Sequence, residues 1–143
     1  MVEIYTDVSL AKGRGIATCF VMSSTSYIGY NMFEYTALNS SLQGELLGIR
    51  DGIKYVASLN TANEPVTLYC DNKAAIGLIN SKLAGKSINK FERIVTDIVK
   101  AQGKMCVEYK LIQGHQSSHN PNKIVDLMSN SVLRENLKKK GSE

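Results

Sequence analysis

The sequence has 143 residues, 43% hydrophobic and 21% charged, with a formal net charge of +4 and a pI near 8.9. That is enough chain for one domain with a substantial core and too little for two, and the composition excludes a disordered chain. No apolar run has the length of a membrane span, and the mild positive charge suits a polyanionic partner without requiring one.

Three strand-like segments come first, Val2 to Asp7, Gly15 to Met22 and Tyr27 to Tyr35, with turns short enough to make them an antiparallel meander. Leu42, Leu46, Ile49, Ile53 and Val56 then recur at helical spacing, which predicts a helix with Ser41 as its N-cap. Gly44, Gly48 and Gly52 lie four apart within it. Each costs about 1 kcal/mol against alanine in a helix interior, so close packing of the helix backbone on the sheet is expected. Pro65 breaks the chain before the β-rich Val66 to Cys70, which ends at Asp71, and a helix follows with Ala75, Ile76, Ile79 and Leu83 as its apolar positions. Gly85 and Ser87 punctuate a turn, Phe91, Ile94, Val95 and Ile98 mark another helix, and Met105 to Ile112 reads as the last strand. Gly114 to Asn122 is a polar loop, and Val125, Met128 and Val132 begin a final amphipathic helix.

The order β-β-β-α-β-α-α-β-α is a meander followed by two crossover strands, which run parallel to their neighbours because helices connect them. The expected fold class is therefore α/β, a mixed sheet flanked by helices. Nothing in the sequence marks an internal repeat or linker, so one domain over residues 1–137 is expected, with 138–143 as a frayed basic tail. The opening MVEIYTDVSL has neither a basic leader nor a long apolar stretch, which gives the expectation of a cytoplasmic protein. Cys19, Cys70 and Cys106 are odd in number, share no metal-ligand spacing and sit in strand-like segments, so buried free thiols are expected.

Four acids stand where structure alone explains them poorly. Asp7 and Asp71 each end a strand, and a crossover between those strands would make the two carboxylates neighbours. Glu45 falls among Leu42, Leu46 and Ile49 on the apolar face of its helix, where burial without a partner is costly. Asp126 lies in the first turn of the last helix, a position the helix dipole also favours. Carboxylates that converge raise one another's pKa, and a divalent cation relieves the conflict. Mg2+ takes oxygen ligands, and in pairs roughly 4 Å apart such ions serve phosphodiester hydrolysis. Singly, each acid also has a structural explanation: strand-end solvation for Asp7 and Asp71, helix-start stabilisation for Asp126, an ion pair for Glu45.

Tyr5-Thr6-Asp7, Gly44-Glu45-Leu46, Leu68-Tyr69-Cys70-Asp71-Asn72, Gln113-Gly114-His115, and Asn122 with Val125-Asp126 together resemble the type 1 ribonuclease H family, over Val2 to Leu133. The resemblance implies a ribonuclease H-like fold with a five-stranded sheet in the order 3-2-1-4-5. It implies that Asp7, Glu45, Asp71 and Asp126 hold two Mg2+ ions, for which Mn2+ substitutes, and that the RNA strand of an RNA–DNA hybrid is cut to 5′-phosphate and 3′-hydroxyl products. His115 matches the family's mobile-loop histidine, suited to moving protons or releasing product. Ser9, Ser41, Asn72 and Asn122 become candidate substrate contacts, although Asn122 is placed equally well to cap the last helix. His119 forms an H-x-x-x-H spacing with His115 but lacks a third ligand nearby and reads as structural or incidental. A monomer is expected.

The chain departs from the family pattern where its substrate would be gripped. Val8-Ser9-Leu10 follows Asp7 in place of Gly-Ser, Asn39-Ser40-Ser41-Leu42-Gln43 stands where paired asparagines are usual, and there is no tryptophan. Positive charge does gather in Lys73, Lys82, Lys86, Lys90, Arg93, Lys100 and Lys104, either a hold on phosphates or a solvated surface. Two other functions share the fold: a structure-selective DNA nuclease such as a junction resolvase, and a non-catalytic nucleic-acid-binding module.

Overall fold

Side-chain contacts along the first segment fix which way its residues point in the computed structural model, which describes residues 2–23, 26–59 and 64–112. In β1 (Val2–Ala11) Val2 and Ile4 enter the core, and Thr6 and Val8 lie against helix glycines, so Tyr5, Asp7 and Ser9 take the opposite face. β1 pairs antiparallel with β2 (Arg14–Ser23), and β2 pairs antiparallel with β3 (Ser26–Tyr35), the expected meander.

The first strand does not end at Asp7 as the sequence suggested. Lys12 and Gly13 have φ of 53° and 75°, the left-handed pair of a two-residue hairpin turn that matches strand twist, and the ladder closes at Ala11 and Arg14. The tightness of this turn carries β1 past Asp7, which therefore lies inside a strand.

β4 (Val66–Cys70) and β5 (Val107–Leu111) add parallel to β1 and β4, completing a five-stranded sheet in the order β3-β2-β1-β4-β5. α1 (Ser41–Ser58), α2 (Lys73–Leu83) and α3 (Glu92–Gln102) supply the crossovers. One core joins Val2, Ile4 and Val21 of the sheet to Leu46, Ile49, Ile53 and Val56 of α1, Ile76 and Ile79 of α2, and Val95 and Ile98 of α3. No described helix is long and apolar enough to cross a membrane.

Several local expectations need correction. The N-cap of α1 is Ser40, whose extended backbone lets its side chain accept from the Gln43 N–H at 3.2 Å, while Gln43 Oε1 accepts from the Asn39 N–H at 2.8 Å. This close relative of the capping box makes Ser41 the first helical residue. Leu83, expected to be an apolar contact, is 42% exposed because it ends α2 beyond the packed turns. Phe91 precedes α3 as its N-cap with φ 54°. Cys19 and Cys70 are buried free thiols, whereas Cys106 precedes β5 and is exposed.

The three spaced glycines of α1 have the role expected of them. A Cβ on Gly44 would lie 3.1 Å from Val8 Cγ1, one on Gly48 3.0 Å from Ala17 Cβ, and one on Gly52 3.2 Å from Thr6 Cγ2. Gly77 in α2 meets nothing within 4 Å. Gly48→Val is therefore expected to lower stability by about 1–3 kcal/mol through overpacking, and Gly77→Ala to raise it by up to about 1 kcal/mol. Urea denaturation checks both, and equal effects of the same sign would contradict this account of the packing.

Candidate functional site

β1 and β4 are paired only as far as Tyr5 and Tyr69. The two rings stack at a centroid distance of 4.9 Å, which ties the strands together at that level. Two residues further on, Asp7 lies within β1 and Asp71 just past the end of β4, and the edge of β1 that faces β4 has run out of ladder. Glu45, one turn into α1, enters this opening.

Burial differs sharply among the three acids. Asp7 and Glu45 are 4% and 6% exposed, while Asp71 is exposed between the end of β4 and the start of α2. The Val8 backbone N–H donates to Glu45 at the unpaired edge, Asp7 shares a hydrogen bond with it, and Cys70 Sγ donates to Glu45 Oε2 at 3.4 Å. Burial, reinforced by the negative charge of Asp71, pushes the Glu45 carboxyl up to about 8, against the partial relief of those three hydrogen bonds. Asp71 has the start of α2 beside it, where the helix dipole favours negative charge.

Cys70 is the member of this cluster that sequence reasoning missed. Val66, Leu68 and Cys70 alternate onto one buried face of β4, the face toward α1, and that parity was the available signal. Donor atoms of Glu45, Cys70 and Asp71 all lie within 4.8 Å of one another. Burial and the Glu45 carboxylate raise the Cys70 thiol well above its ordinary value, while the Asn72 N–H donates to its sulfur at 3.4 Å.

Such a group suits a divalent cation. A carboxyl held protonated by burial beside two other acids gives up its proton readily once a positive charge shares the site, and the oxygen donors match a hard ion. Asp7, Glu45 and Asp71 are thus three of the four expected acids in one place. Asp126, His115, His119 and Asn122 lie outside the described residues.

The candidate substrate contacts are scattered around this centre. Ser9 is buried on the Asp7 face of β1, with no hydrogen-bond partner for its Oγ among the described residues. Ser41 is exposed at the start of α1. Asn72 caps α2, its Oδ1 accepting from the Ala75 N–H at 3.0 Å, so its side chain has a structural task. Asn39, Ser40, Leu42, Lys90 and Phe91 line a cavity of about 510 Å³ between the starts of α1 and α3. Of the expected basic cluster, Lys82 is engaged with Glu92 at 2.6 Å, while Lys73, Lys86, Lys90, Arg93, Lys100 and Lys104 are exposed.

The sequence matches no protein-family model and no curated protein. Solved structures do resemble it. The N-terminal RNase H domain of Rv2228c from Mycobacterium tuberculosis, solved as a fusion with maltose-binding protein, superposes with TM-score 0.75 at 12% identity, over 97% of both chains. RNase H1 from the halophilic archaeon Halobacterium salinarum gives 0.74 at 12% identity, over 94% of this chain and 98% of that one. LC11-RNase H1, in complex with an RNA/DNA hybrid, gives 0.77 at 8% identity, over 96% and 99%. The chain has the ribonuclease H-like fold, as its motifs suggested.

Proposed function

We propose that the protein is a metal-dependent endoribonuclease that hydrolyses the RNA strand of RNA–DNA hybrids. The observation that carries this reading is the convergence of Asp7, Glu45 and Asp71 at the point where β1 and β4 part. A binding module that faced phosphates would gain nothing from three acids there. The fold agrees, and one neighbour of that fold holds an RNA/DNA hybrid.

Asp7, Glu45 and Asp71, joined by Asp126, are the residues assigned to hold Mg2+ or Mn2+. Held there, a pair of such ions would supply Lewis-acid activation of a water and charge stabilisation of the leaving oxygen. Asp7 and Glu45 hold the buried side of the site fixed through their shared hydrogen bond and the Val8 N–H. Asp71 is the exposed one of these three acids. The cavity beside Asn39, Ser40, Lys90 and Phe91 offers polar groups, a cation and an aromatic ring to a nucleic-acid strand. His115 is assigned to proton movement or product release, and Asn122 to orienting its loop. We further assign residues 1–137 to one domain with a basic tail, acting as a monomer in the cytoplasm.

End-labelled RNA–DNA hybrid, single-stranded RNA, RNA duplex, DNA duplex and a four-way DNA junction, each with Mg2+, Mn2+ or EDTA, test the reading. Metal-dependent cutting confined to the RNA of the hybrid is expected. Preference for the junction would make the protein a structure-selective DNA nuclease, and binding without cutting a nucleic-acid-binding module. His115→Ala is expected to slow turnover without abolishing it, since the metals activate the water. Complete loss in a steady-state assay would overturn that role.

A further inference from the structure

The hydrolysis proposed above needs oxygen donors and leaves Cys70 without a task, yet its sulfur lies among them. We infer that Cys70 opens this centre to thiophilic divalent cations such as Co2+, Zn2+ and Cd2+, which bind through its sulfur together with Glu45 and Asp71 in a mode closed to Mg2+. The inference rests on these carboxylates binding a divalent cation.

The geometry supports it. Around a tetrahedral Zn2+, with metal–sulfur distances of about 2.3 Å and metal–oxygen distances of about 2.1 Å, adjacent sulfur and oxygen donors stand roughly 3.6 Å apart. Cys70 Sγ and Glu45 Oε2 are 3.4 Å apart before any ion arrives. The Asp71 donor lies within 4.8 Å of both, on an exposed side chain. The Asn72 N–H, 3.4 Å from the sulfur, is placed to support a metal-bound thiolate in the manner of an outer-shell hydrogen bond.

Chemistry separates the two kinds of ion. Mg2+ demands oxygen ligands in octahedral array and gains nothing from sulfur, whereas affinity for mixed sulfur and oxygen donors rises along the later first-row ions. On binding, the S–H bond gives its proton to solvent and a sulfur–metal bond forms, with no change of oxidation state. An ion so held withdraws Glu45 and Asp71 from Mg2+, so thiophilic ions act as competitive inhibitors of magnesium-dependent activity. Cys19 is buried and Cys106 exposed outside this cluster, and they serve as internal controls.

Co2+ titrated into the full chain, followed by near-ultraviolet absorption, tests the inference, because a cobalt–thiolate bond gives a charge-transfer band that oxygen ligands do not. The band is expected in the parent protein and in a Cys19→Ser, Cys106→Ser double variant, and it is expected to vanish in both Cys70→Ser and Cys70→Ala. Co2+ affinity in those variants should fall ~10-fold or more, with Mg2+ affinity, read by displacement of Mn2+, little changed. Mn2+ binding that Mg2+ displaces, with no sulfur band from Co2+, would overturn the role of Cys70 and leave the carboxylate site standing. Binding of neither ion would overturn both, and a band that survives loss of Cys70 would place the thiolate elsewhere.

Discussion

Asp71→Asn is expected to abolish metal-dependent cleavage while the protein remains folded. Asp71 is exposed and follows the last residue of β4, so the change removes a charge without opening a cavity. The amide keeps the size and shape of the acid, and Asn72 continues to cap α2. What is lost is a negative oxygen donor to a divalent cation, and Lewis-acid stabilisation by such an ion amounts to several kcal/mol of transition-state energy. At about 1.4 kcal/mol for each factor of ten, the rate on a hybrid substrate should fall by about 10³-fold or more. Circular dichroism and thermal unfolding should match the parent protein. Undiminished cleavage by the variant would remove Asp71 from the catalytic assignment.

The metal-free protein is expected to lose stability as the pH rises from about 4.5 to about 8, the interval between the ordinary Glu45 carboxyl and the folded one. The sign follows from which state holds the proton. Within that interval the unfolded chain has released it and the folded chain retains it, so stability falls with rising pH. The contribution is complete below about 4.5 and gone above about 8. Glu45→Gln, which cannot ionise, should flatten this slope and leave the protein more stable than the parent at alkaline pH, while eliminating cleavage. Mg2+ should reverse the slope in the parent protein, since metal binding requires the ionised acid. Denaturant melts across the pH range, with EDTA or with Mg2+, read all of these effects. A parent slope unchanged by Glu45→Gln would mean that Glu45 does not carry the titration.

Both predictions place function where buried acidic groups work against folding. Three acids and a thiol at the end of a parallel strand pair oppose folding, and the apolar contacts of α1 with β1 and β4 hold them there. Gly44 and Gly48 contribute by letting α1 lie close on β1, near enough for Glu45 to reach the Val8 N–H. The glycine spacing and the acid are thus parts of one arrangement, in which the helix backbone must come close for its carboxylate to enter the sheet opening.

Much of this was legible in the sequence. Strand alternation and helical spacing are dictated by burial, and they located all eight described elements within a few residues. Glu45 was identifiable because a charged residue amid Leu42, Leu46 and Ile49 contradicts its own helix face. The end of β1 was not legible, because it depends on two left-handed residues at Lys12 and Gly13 whose turn type composition does not specify. Ser40 and Ser41 are adjacent and chemically identical, and only the extended backbone of Ser40 decides which one caps α1. Cys70 reads as an ordinary buried thiol until α1 brings Glu45 to its sulfur, a contact between residues 25 apart in sequence.

The most direct test of the central claim is the cleavage of an end-labelled RNA–DNA hybrid by the purified protein in Mg2+, with the ends of the products identified and EDTA added in parallel. RNA fragments with 5′-phosphate and 3′-hydroxyl ends, formed in Mg2+ and absent in EDTA, are the expected result. RNA cleavage that persists in EDTA, or 2′,3′-cyclic phosphate ends formed through the 2′-hydroxyl, would contradict the assignment of Asp7, Glu45 and Asp71 as a metal centre that activates water.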